Sequence, residues 1–195
     1  MPEDDAAVVL VVDDEEEVAE VFSLWLRDEY ETRVATGGEA ALEAIDGVDL
    51  VLLDRRMPDL SGDETLARMR ERGYDGPVAM VTAVDPDFDI VEMAFDDYLV
   101  KPISKEELQE TVERLLSVQS YDEQTQDQFA LARKLAALEV EKDESELEAS
   151  EEYATLRRQF EDGQGALDEA FAQMDEQAKT ALLKDLGGDR DEPSA

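Results

Sequence analysis

The stretch VVLVVDD at residues 8–14 decides the fold class, because a run of aliphatic residues ends there in two carboxylates. Such a run is typical of a strand that is buried on both faces of a parallel sheet. The first strand is predicted at residues 7–12. Four further strands are predicted at residues 33–35, 50–53, 78–81 and 98–100. Amphipathic stretches separate these runs, and this alternation predicts an α/β protein with helices on both faces of the sheet.

Apolar residues at helical spacing predict the helices between the strands. The helical stretches contain Val18, Val21, Phe22, Trp25 and Leu26, then Ala41, Leu42 and Ile45, then Leu66 and Met69, and finally Leu108, Val112, Leu115 and Leu116. Gly47 and Gly73 stand where helices should end. Ser104 and Glu107 have the spacing of a capping box, which predicts the start of the helix after the last strand.

The character of the chain changes near residue 120, because strand signals end and Ala, Glu, Leu and Gln become dominant. One helix is predicted at about residues 122–141. A second helix is predicted to carry Leu147, Tyr153, Leu156 and Phe160, and Gly163-Gln164-Gly165 is predicted to end it. A third helix should contain Leu167, Phe171, Met174, Ala178 and Leu182. The expected domains are residues 1–119 and 120–187, followed by a disordered acidic tail at 188–195.

The charge balance points to a salt-adapted protein. The chain has 53 Asp and Glu residues against 18 Lys and Arg residues, for a net charge of -35. Repulsion of that size destabilises a compact state in dilute buffer unless counter-ions screen it. A heavily acidic chain is often disordered, but the apolar strands and periodic helices favour a halophilic globular protein.

Composition also excludes several classes of function. No stretch of the chain has the basic character of a nucleic-acid-binding surface, which disfavours direct DNA binding. Without Cys or His the chain has no disulfide, imidazole metal site, Ser-His pair or phosphohistidine. The apolar run at residues 8–12 is too short for a signal peptide or a membrane span, so a cytoplasmic protein without membrane contact is expected.

Side chains that can bind a metal ion or react with phosphorus follow or close the predicted strands. They lie at the carboxyl ends of the strands, where open α/β sheets bind ligands. Asp13 and Asp14 follow the first strand, Asp54 the third, and Lys101 the fifth, while Thr82 closes the fourth. Three carboxylates without His or Cys form a hard-oxygen site that suits Mg2+. A carboxylate beside such an ion, with a Lys and a hydroxyl nearby, can attack phosphorus.

Residues 6–118 resemble a response regulator receiver domain. The segments that carry the resemblance are VVLVVDD at 8–14, LDRRMP at 53–58, VTA at 81–83 and DDYLVKP at 96–102. The resemblance implies a flavodoxin-like, doubly wound parallel sheet with strand order 2-1-3-4-5. It also implies a helix between the fourth and fifth strands.

The same resemblance implies a role for each residue of the site. Asp54 would be phosphorylated by a sensor histidine kinase, and Mg2+ would be held by Asp13, Asp14, Asp54 and the backbone carbonyl of Arg56. Thr82 and Lys101 would contact the phosphoryl oxygens, and Tyr98 would be an aromatic switch that follows Thr82. Solvated or capping roles are expected for Asp59, Asp85, Asp87, Asp96 and Asp97. Arg55 and Arg56 are an unusual pair of cations after the acceptor, and Arg56 could pair with the site carboxylates or reach toward the phosphoryl group.

The helical part resembles the HalX domain that follows receivers in halophilic archaea. The segments that carry this resemblance are FALARKLAALE at 129–139 and ELEASEEY at 146–153. The alternative is a plain helical hairpin or coiled coil whose apolar stripes bury one another. We expect the helices to signal through an unidentified protein effector, in transcriptional regulation or elsewhere. A second copy of the chain remains open as a partner.

Two other classes of function compete with a phosphorylated signalling switch. An aspartyl-nucleophile phosphatase would need an acid two residues after its nucleophile, and here Asp13 is followed at that spacing by Glu15, with Asp14 better explained as a metal ligand. An acidic helical scaffold with a vestigial receiver would not need Asp54, Thr82 and Lys101. The switch is therefore preferred, as a protein that is not an enzyme acting on a separate substrate.

Overall fold

A computed structural model describes residues 6–119 and 123–173 of the chain. The chain divides into two compact units, and the division lies between Ser120 and Tyr121. Each unit is described by itself.

The first unit is built on a five-stranded, all-parallel sheet with the order β2-β1-β3-β4-β5. Its strands are β1 at Val8–Val12, β2 at Glu31–Ala35, β3 at Leu50–Leu53, β4 at Val78–Thr82 and β5 at Asp97–Val100. The doubly wound α/β fold class and the strand order are thus confirmed. All four residues of β3 are buried, as expected for a central strand that is covered on both faces.

Four α-helices surround this sheet. They are α1 at Glu16–Leu26, α2 at Gly38–Ala44, α3 at Gly62–Glu71 and α4 at Lys105–Val118. The predicted capping box of Ser104 and Glu107 is present at the start of α4. Gly47 and Gly73 follow α2 and α3 with φ angles of 71° and 86°, in the left-handed region that glycine adopts without strain.

Side chains of α1 and α4 complete the core on one face of the sheet. Phe22 and Leu26 of α1 and Leu108, Val112 and Leu115 of α4 pack with residues of the central strands. Val21, which the helical spacing placed with the apolar residues of α1, is 41% exposed. The apolar stripe of this helix is therefore narrower than predicted.

The α-helix expected between β4 and β5 is absent, and the prediction was wrong at this point. Residues 83–96 contain only a 3₁₀ helix at Phe88–Glu92. This link must return along the whole of β4, because the amide of Asp96 already donates to the carbonyl of Val78 at 2.8 Å. The side chain of Asp87 accepts from the amide of Phe88 and caps this helix, and the extended backbone of Met93 ends it after five residues.

The second unit is helical, with α5 at Glu123–Glu141, α6 at Glu144–Ala149 and α7 at Glu151–Gln173. Helices α5 and α7 pack against each other, which agrees with the expected helical hairpin. Their buried apolar side chains are Phe129, Ala132, Leu135, Leu138, Tyr153 and Leu156. No helix in the described ranges is both long enough and apolar enough to cross a bilayer.

Two predicted helix boundaries in this unit were wrong. The predicted second helix is divided at Ser150, which has an extended backbone and whose hydroxyl accepts from the amide of Tyr153. Helix α7 also continues through Gly163-Gln164-Gly165 to Gln173. A glycine inside a helix costs only about 1 kcal/mol, and a Cβ at Gly163 would lie 1.9 Å from the amide nitrogen of Gln128. Gly163 thus makes room for a side chain of α5. The predicted residues Met174, Ala178 and Leu182 and the tail at 188–195 lie outside the described residues.

Candidate functional site

The register of the sheet brings four strand ends together at one edge. The last residues of β1 and β3, Val12 and Leu53, are direct neighbours. The next residue after each of them is a carboxylate, Asp13 and Asp54 respectively. On the other side of β3, β4 ends at Thr82, whose carbonyl accepts from the amide of Lys101 at 2.8 Å.

An ammonium group joins the two carboxylates. The Nζ atom of Lys101 donates to Oδ2 of Asp13 at 2.5 Å and to Oδ1 of Asp54 at 3.1 Å. Asp13 is 2% exposed and Asp54 is 6% exposed, so both negative charges are largely removed from water. One cation held by two buried carboxylates leaves a site with an excess negative charge, which attracts a further cation.

Backbone amides hold the remaining carboxylate oxygens in place. Oδ2 of Asp54 accepts from the amide of Arg56 at 2.8 Å, and Oδ1 of Asp13 accepts from the amide of Glu15 at 2.9 Å. The amide of Gly62 donates to the carbonyl of Arg55 at 2.8 Å. A Cβ at position 62 would lie 2.2 Å from the backbone oxygen of Asp54. Gly62 is therefore what allows the start of α3 to pack on this loop.

Burial and charge act on the two partners of the Asp54–Lys101 pair in different ways. Burial raises the pKa of the Asp54 carboxyl above its usual range, and this outweighs the lowering by Lys101 and by the Arg56 amide. Burial lowers the pKa of Lys101, but its contacts with Asp13 and Asp54 reverse the effect and raise the pKa overall. Lys101 is therefore a firmly charged partner for whatever negative charge this site holds.

The donor set fits a hard divalent cation only in part. Asp13 and Asp54 converge, but Asp14 is exposed. In the parts of the chain that the structure describes, no three carboxylates lie close enough together to hold a metal ion. The oxygens of Asp13 and Asp54 that bind the Lys101 ammonium show that the site accommodates positive charge. Their chemistry is that of Mg2+ ligands.

The two predicted switch residues share a neighbour, Val84, in the segment that follows β4. Thr82 is 1% exposed, and its Oγ1 accepts from the amide of Val84 at 3.4 Å. The Tyr98 hydroxyl donates to the carbonyl of Val84 at 2.8 Å, and its ring lies against Phe95 with the centroids 5.6 Å apart. Both side chains therefore contact the segment that follows β4.

The two arginines after Asp54 differ sharply in their surroundings. Arg56 has an exposed side chain, whereas Arg55 is 9% exposed. The Nε atom of Arg55 donates to Oδ1 of Asp63 at 2.9 Å, its Nη2 donates to Oδ2 of Asp63 at 3.0 Å, and Nη2 also pairs with Asp89. The sequence contains both arginines, but it holds no signal for these partners, because Asp89 is 34 residues away and the fold alone brings it near.

Two aspartates expected to be solvated or capping are not exposed. Asp97 is 5% exposed and pairs with Arg114 of α4. Asp96 accepts from the amide of Val78 at 2.8 Å and from Arg70 at 3.2 Å. That expectation was wrong for these two residues, because each anchors β5 to a neighbouring element.

Comparison with known proteins agrees with this geometry. Residues 9–113 match the family described as the response regulator receiver domain. The chain belongs to the response regulator receiver family. Residues 117–183 match the HalX domain, so the chain is a response regulator in which a receiver is followed by a HalX domain.

Relatives of this response regulator cover different parts of it. A Haloferax volcanii protein that is named as a transcriptional regulator is 46% identical over 194 residues, which are 95% of this chain and 33% of the relative. The sensory transduction protein RegX3 of Mycobacterium tuberculosis is 42% identical over 106 residues, 51% of this chain and 46% of RegX3. The chain thus spans a third to a half of the length of these relatives.

A solved structure resembles the receiver at the level of the backbone. The response regulator TrrA of Thermotoga maritima, in complex with Mg2+ and BeF, is 36% identical with a TM-score of 0.51. The match covers 56% of this chain and 98% of TrrA. The receiver backbone is therefore similar to that of a protein whose structure was solved in complex with Mg2+ and BeF.

Proposed function

We propose that Asp54 of this response regulator accepts a phosphoryl group from a sensor histidine kinase. The observation that carries the proposal is the buried Asp54 carboxylate at the carboxyl edge of the sheet, 3.1 Å from the ammonium of Lys101. Membership of the receiver family supports the class of reaction. The proposal places the chain in the cytoplasm, where the phosphoryl donors are formed.

The reaction transfers a phosphoryl group between two atoms. A carboxylate oxygen of Asp54 forms a bond to phosphorus while the bond from phosphorus to the donor nitrogen of the kinase breaks. The product is an acyl phosphate with more negative charge than the carboxylate had. Lys101 is placed to pair with that charge, and the Thr82 hydroxyl, at the end of the neighbouring strand, would bind a phosphoryl oxygen.

We assign the metal-binding role to Asp13, Asp14, Asp54 and the backbone carbonyl of Arg56. A bound Mg2+ would neutralise charge on the phosphoryl oxygens during transfer. The hard-oxygen donors of Asp13 and Asp54 support this assignment, and so does the Mg2+ in the complex of TrrA. Asp14 is exposed and thus accessible to a hydrated ion.

Phosphorylation of this chain by acetyl phosphate is expected to require Mg2+. Chelation of divalent ions should reduce the labelled fraction to the background level. Without a bound cation, the negative phosphoryl oxygens and the buried carboxylates would repel each other. The Asp14→Asn variant should need about tenfold more Mg2+ for half-maximal labelling, which corresponds to roughly 1.4 kcal/mol of lost binding free energy. Titration of Mg2+ with intact-mass spectrometry as the readout measures both.

Glu16→Gln is a suitable control for this titration, because Glu16 is an exposed carboxylate close to Asp14 in the chain. The control should keep the Mg2+ requirement of the unchanged protein. Full labelling in excess chelator would contradict the metal assignment.

The response to phosphorylation is proposed to pass through Thr82 and Tyr98. Both side chains contact Val84, the second residue after β4. Movement of the Thr82 hydroxyl toward a phosphoryl oxygen would change its contact with the Val84 amide, while Tyr98 holds the Val84 carbonyl. The two residues would thus change together and alter the surface around the segment between β4 and β5.

The HalX domain is proposed to act through contacts with a protein effector and not through direct contact with DNA. Residues 122–195 carry 21 acidic and 8 basic side chains, which repels a phosphate backbone. Of the paired cations in this region, Lys134 is 8% exposed and so is withheld from solvent. Arg157 and Arg158 are exposed, and Arg157 pairs with Glu161 at 3.1 Å. The effector is a protein of unknown identity, and a second copy of this chain remains a candidate.

The full chain is expected to show no saturable binding to duplex DNA. Even the sequence-independent affinity of basic proteins, with a Kd of roughly 1–100 µM, draws on about 6 to 10 phosphate contacts, and a chain with a net charge of -35 and no basic stretch is not expected to supply them. Fluorescence anisotropy of a labelled duplex, measured from 0.1 M to molar KCl with and without acetyl phosphate, tests this. Specific binding at molar salt that disappears in the Arg157→Ala, Arg158→Ala variant would contradict the proposal.

A further inference from the structure

The side chain of Arg55 lies where three segments of the receiver meet. It follows Asp54 directly, pairs through two nitrogens with Asp63 in the first turn of α3, and pairs with Asp89 in the 3₁₀ helix. The guanidinium is also near the Tyr98 hydroxyl. Burial raises the pKa of Tyr98, and Arg55 partly offsets this by lowering it. One cation therefore touches the acceptor loop, the start of α3 and the link between β4 and β5.

The environment of this cation explains why it needs both carboxylates. The Arg55 side chain is 10% exposed, whereas those of Asp63 and Asp89 are 41% and 57% exposed. Arg55 has thus lost most of its hydration, and the carboxylates replace it with charged hydrogen bonds. Loss of either carboxylate would leave a buried cation with one partner fewer, and the segment that carried the carboxylate would be released.

The segment at residues 83–96 is held in place mainly by contacts with other elements, such as the bonds from Arg70 to the carbonyl of Ala94. Ile90 and Phe95 are its buried large apolar side chains, and Asp85, Asp87 and Asp89 are exposed. With one short 3₁₀ helix in place of an α-helix, it forms few backbone hydrogen bonds of its own. Its position therefore depends on contacts with neighbouring elements, and Arg55 and Tyr98 provide two of these contacts.

We propose that Arg55, Asp63 and Asp89 form a clamp that positions the link between β4 and β5 against the acceptor loop and couples the state of Asp54 to Tyr98. Arg55 is a positioning residue in this scheme. When a phosphoryl group forms on Asp54, the loop shifts and moves Arg55 with it. Asp89 and the Val84 carbonyl held by Tyr98 then follow. The coupling part of the inference rests on Asp54 being the acceptor, whereas the positioning part does not.

A direct role of Arg55 as the counter-ion of the phosphoryl group is a weaker explanation. Its Nε and Nη2 atoms are already committed to Asp63 and Asp89, and Lys101 is the cation that contacts Asp54. The exposed Arg56 is more accessible to an incoming donor. Arg55 is therefore assigned to the link and not to the reacting atoms.

Hydrogen exchange of the unphosphorylated full chain tests the positioning part. Asp89→Asn keeps the size of an exposed side chain but removes one charge, so the variant should fold. We expect exchange in peptides from residues 83–96 to become about tenfold faster, in keeping with the loss of one charge-assisted hydrogen bond. Arg55→Met should show a larger increase, and Arg55→Lys should fall between Arg55→Met and the unchanged protein.

Arg68→Met is the matched control, because it removes an arginine of α3 whose pair with Glu39 at 3.0 Å is exposed. Exchange at residues 83–96 should not change in this variant. Unaltered exchange at residues 83–96 in both Asp89→Asn and Arg55→Met would overturn the clamp, whether or not Asp54 is phosphorylated.

Fluorine NMR with 3-fluorotyrosine tests the coupling part, with the Tyr98 resonance assigned through Tyr98→Phe. Acetyl phosphate and Mg2+ should shift this resonance in the unchanged chain. In Asp89→Asn the labelled fraction should stay the same while the shift falls to less than half, and the Arg55→Met, Asp89→Asn double variant should match Arg55→Met alone. A full shift in Asp89→Asn and Arg55→Met at equal labelling would overturn the coupling. Absence of labelling in the unchanged chain would instead reject the acceptor assignment and, with it, the coupling, while exchange still decides the positioning.

Discussion

Replacement of Asp54 by Asn is expected to reduce labelling by acetyl phosphate or by a kinase to the background level. The amide nitrogen and oxygen of Asn have nearly the shape of the carboxylate, but Asn has no charged oxygen that can form an acyl phosphate. The half-buried Lys101 would keep its contact with Asp13 at 2.5 Å, so the variant should still fold. Intact-mass spectrometry after incubation with Mg2+ and acetyl phosphate measures the result.

Asp59→Asn provides the control for this experiment, because Asp59 is an exposed carboxylate in the same loop with a φ of 64°, which Asn also tolerates. It should be labelled like the unchanged chain. Lys101→Ala should give a third pattern, with weak labelling and no shift of the Tyr98 resonance. This variant lacks the cation that would pair with the negative charge of the phosphoryl group. Undiminished labelling of Asp54→Asn would move the acceptor to another residue.

The melting temperature of the full chain is expected to rise by at least about 10 °C between dilute buffer and 2 M KCl. For a chain of this size, a gain of roughly 3 kcal/mol in the free energy of unfolding gives a rise of that order. The physical reason is the net charge of -35, whose repulsion acts over about 10 Å at 0.1 M salt but only about 3 Å at 1 M. Circular dichroism at several KCl concentrations measures the rise.

A variant with fewer surface carboxylates separates screening from a general salt effect on burial of apolar groups. Glu20, Glu43 and Glu141 are exposed, and replacing each by Gln removes three negative charges with little change in packing. If screening stabilises the fold, this variant should be more stable in dilute buffer and should gain less from KCl. A melting temperature that stays flat or falls with salt in the unchanged chain would reject the halophilic interpretation.

The sequence predicted the strands well because their signals are local. β1, β3 and β4 are short runs of mostly apolar residues, and the β3 residues 50–53 are buried throughout. The signal was weaker for β2, whose residues 31–35 include Glu31, Thr32 and Arg33 and of which only 33–35 were predicted. The helix limits at Gly47, Gly73 and Ser104 were also predictable, since caps and left-handed glycines depend on neighbouring residues. Helix α7 shows the limit of such local rules, because packing of Gln128 against Gly163 overrides the expected break.

The meeting of Asp13, Asp54 and Lys101 was predictable for a different reason. Each follows a strand, and parallel strands bring their carboxyl ends to one edge whatever the separation in sequence. The exposure of Asp14 was not predictable, because adjacent residues at a strand end point in different directions and only the packing around them decides which one is buried.

Local patterns of residues thus suffice to predict the sheet, its strand ends, the acidic surface and the family of this response regulator. The form of the link at residues 83–96 and the partners of Arg55 follow from the three-dimensional packing and not from local patterns. An ion pair between residues 34 positions apart depends on where two loops are placed by the elements that flank them. That placement results from the packing of the whole sheet and its helices, and no local pattern of residues encodes it.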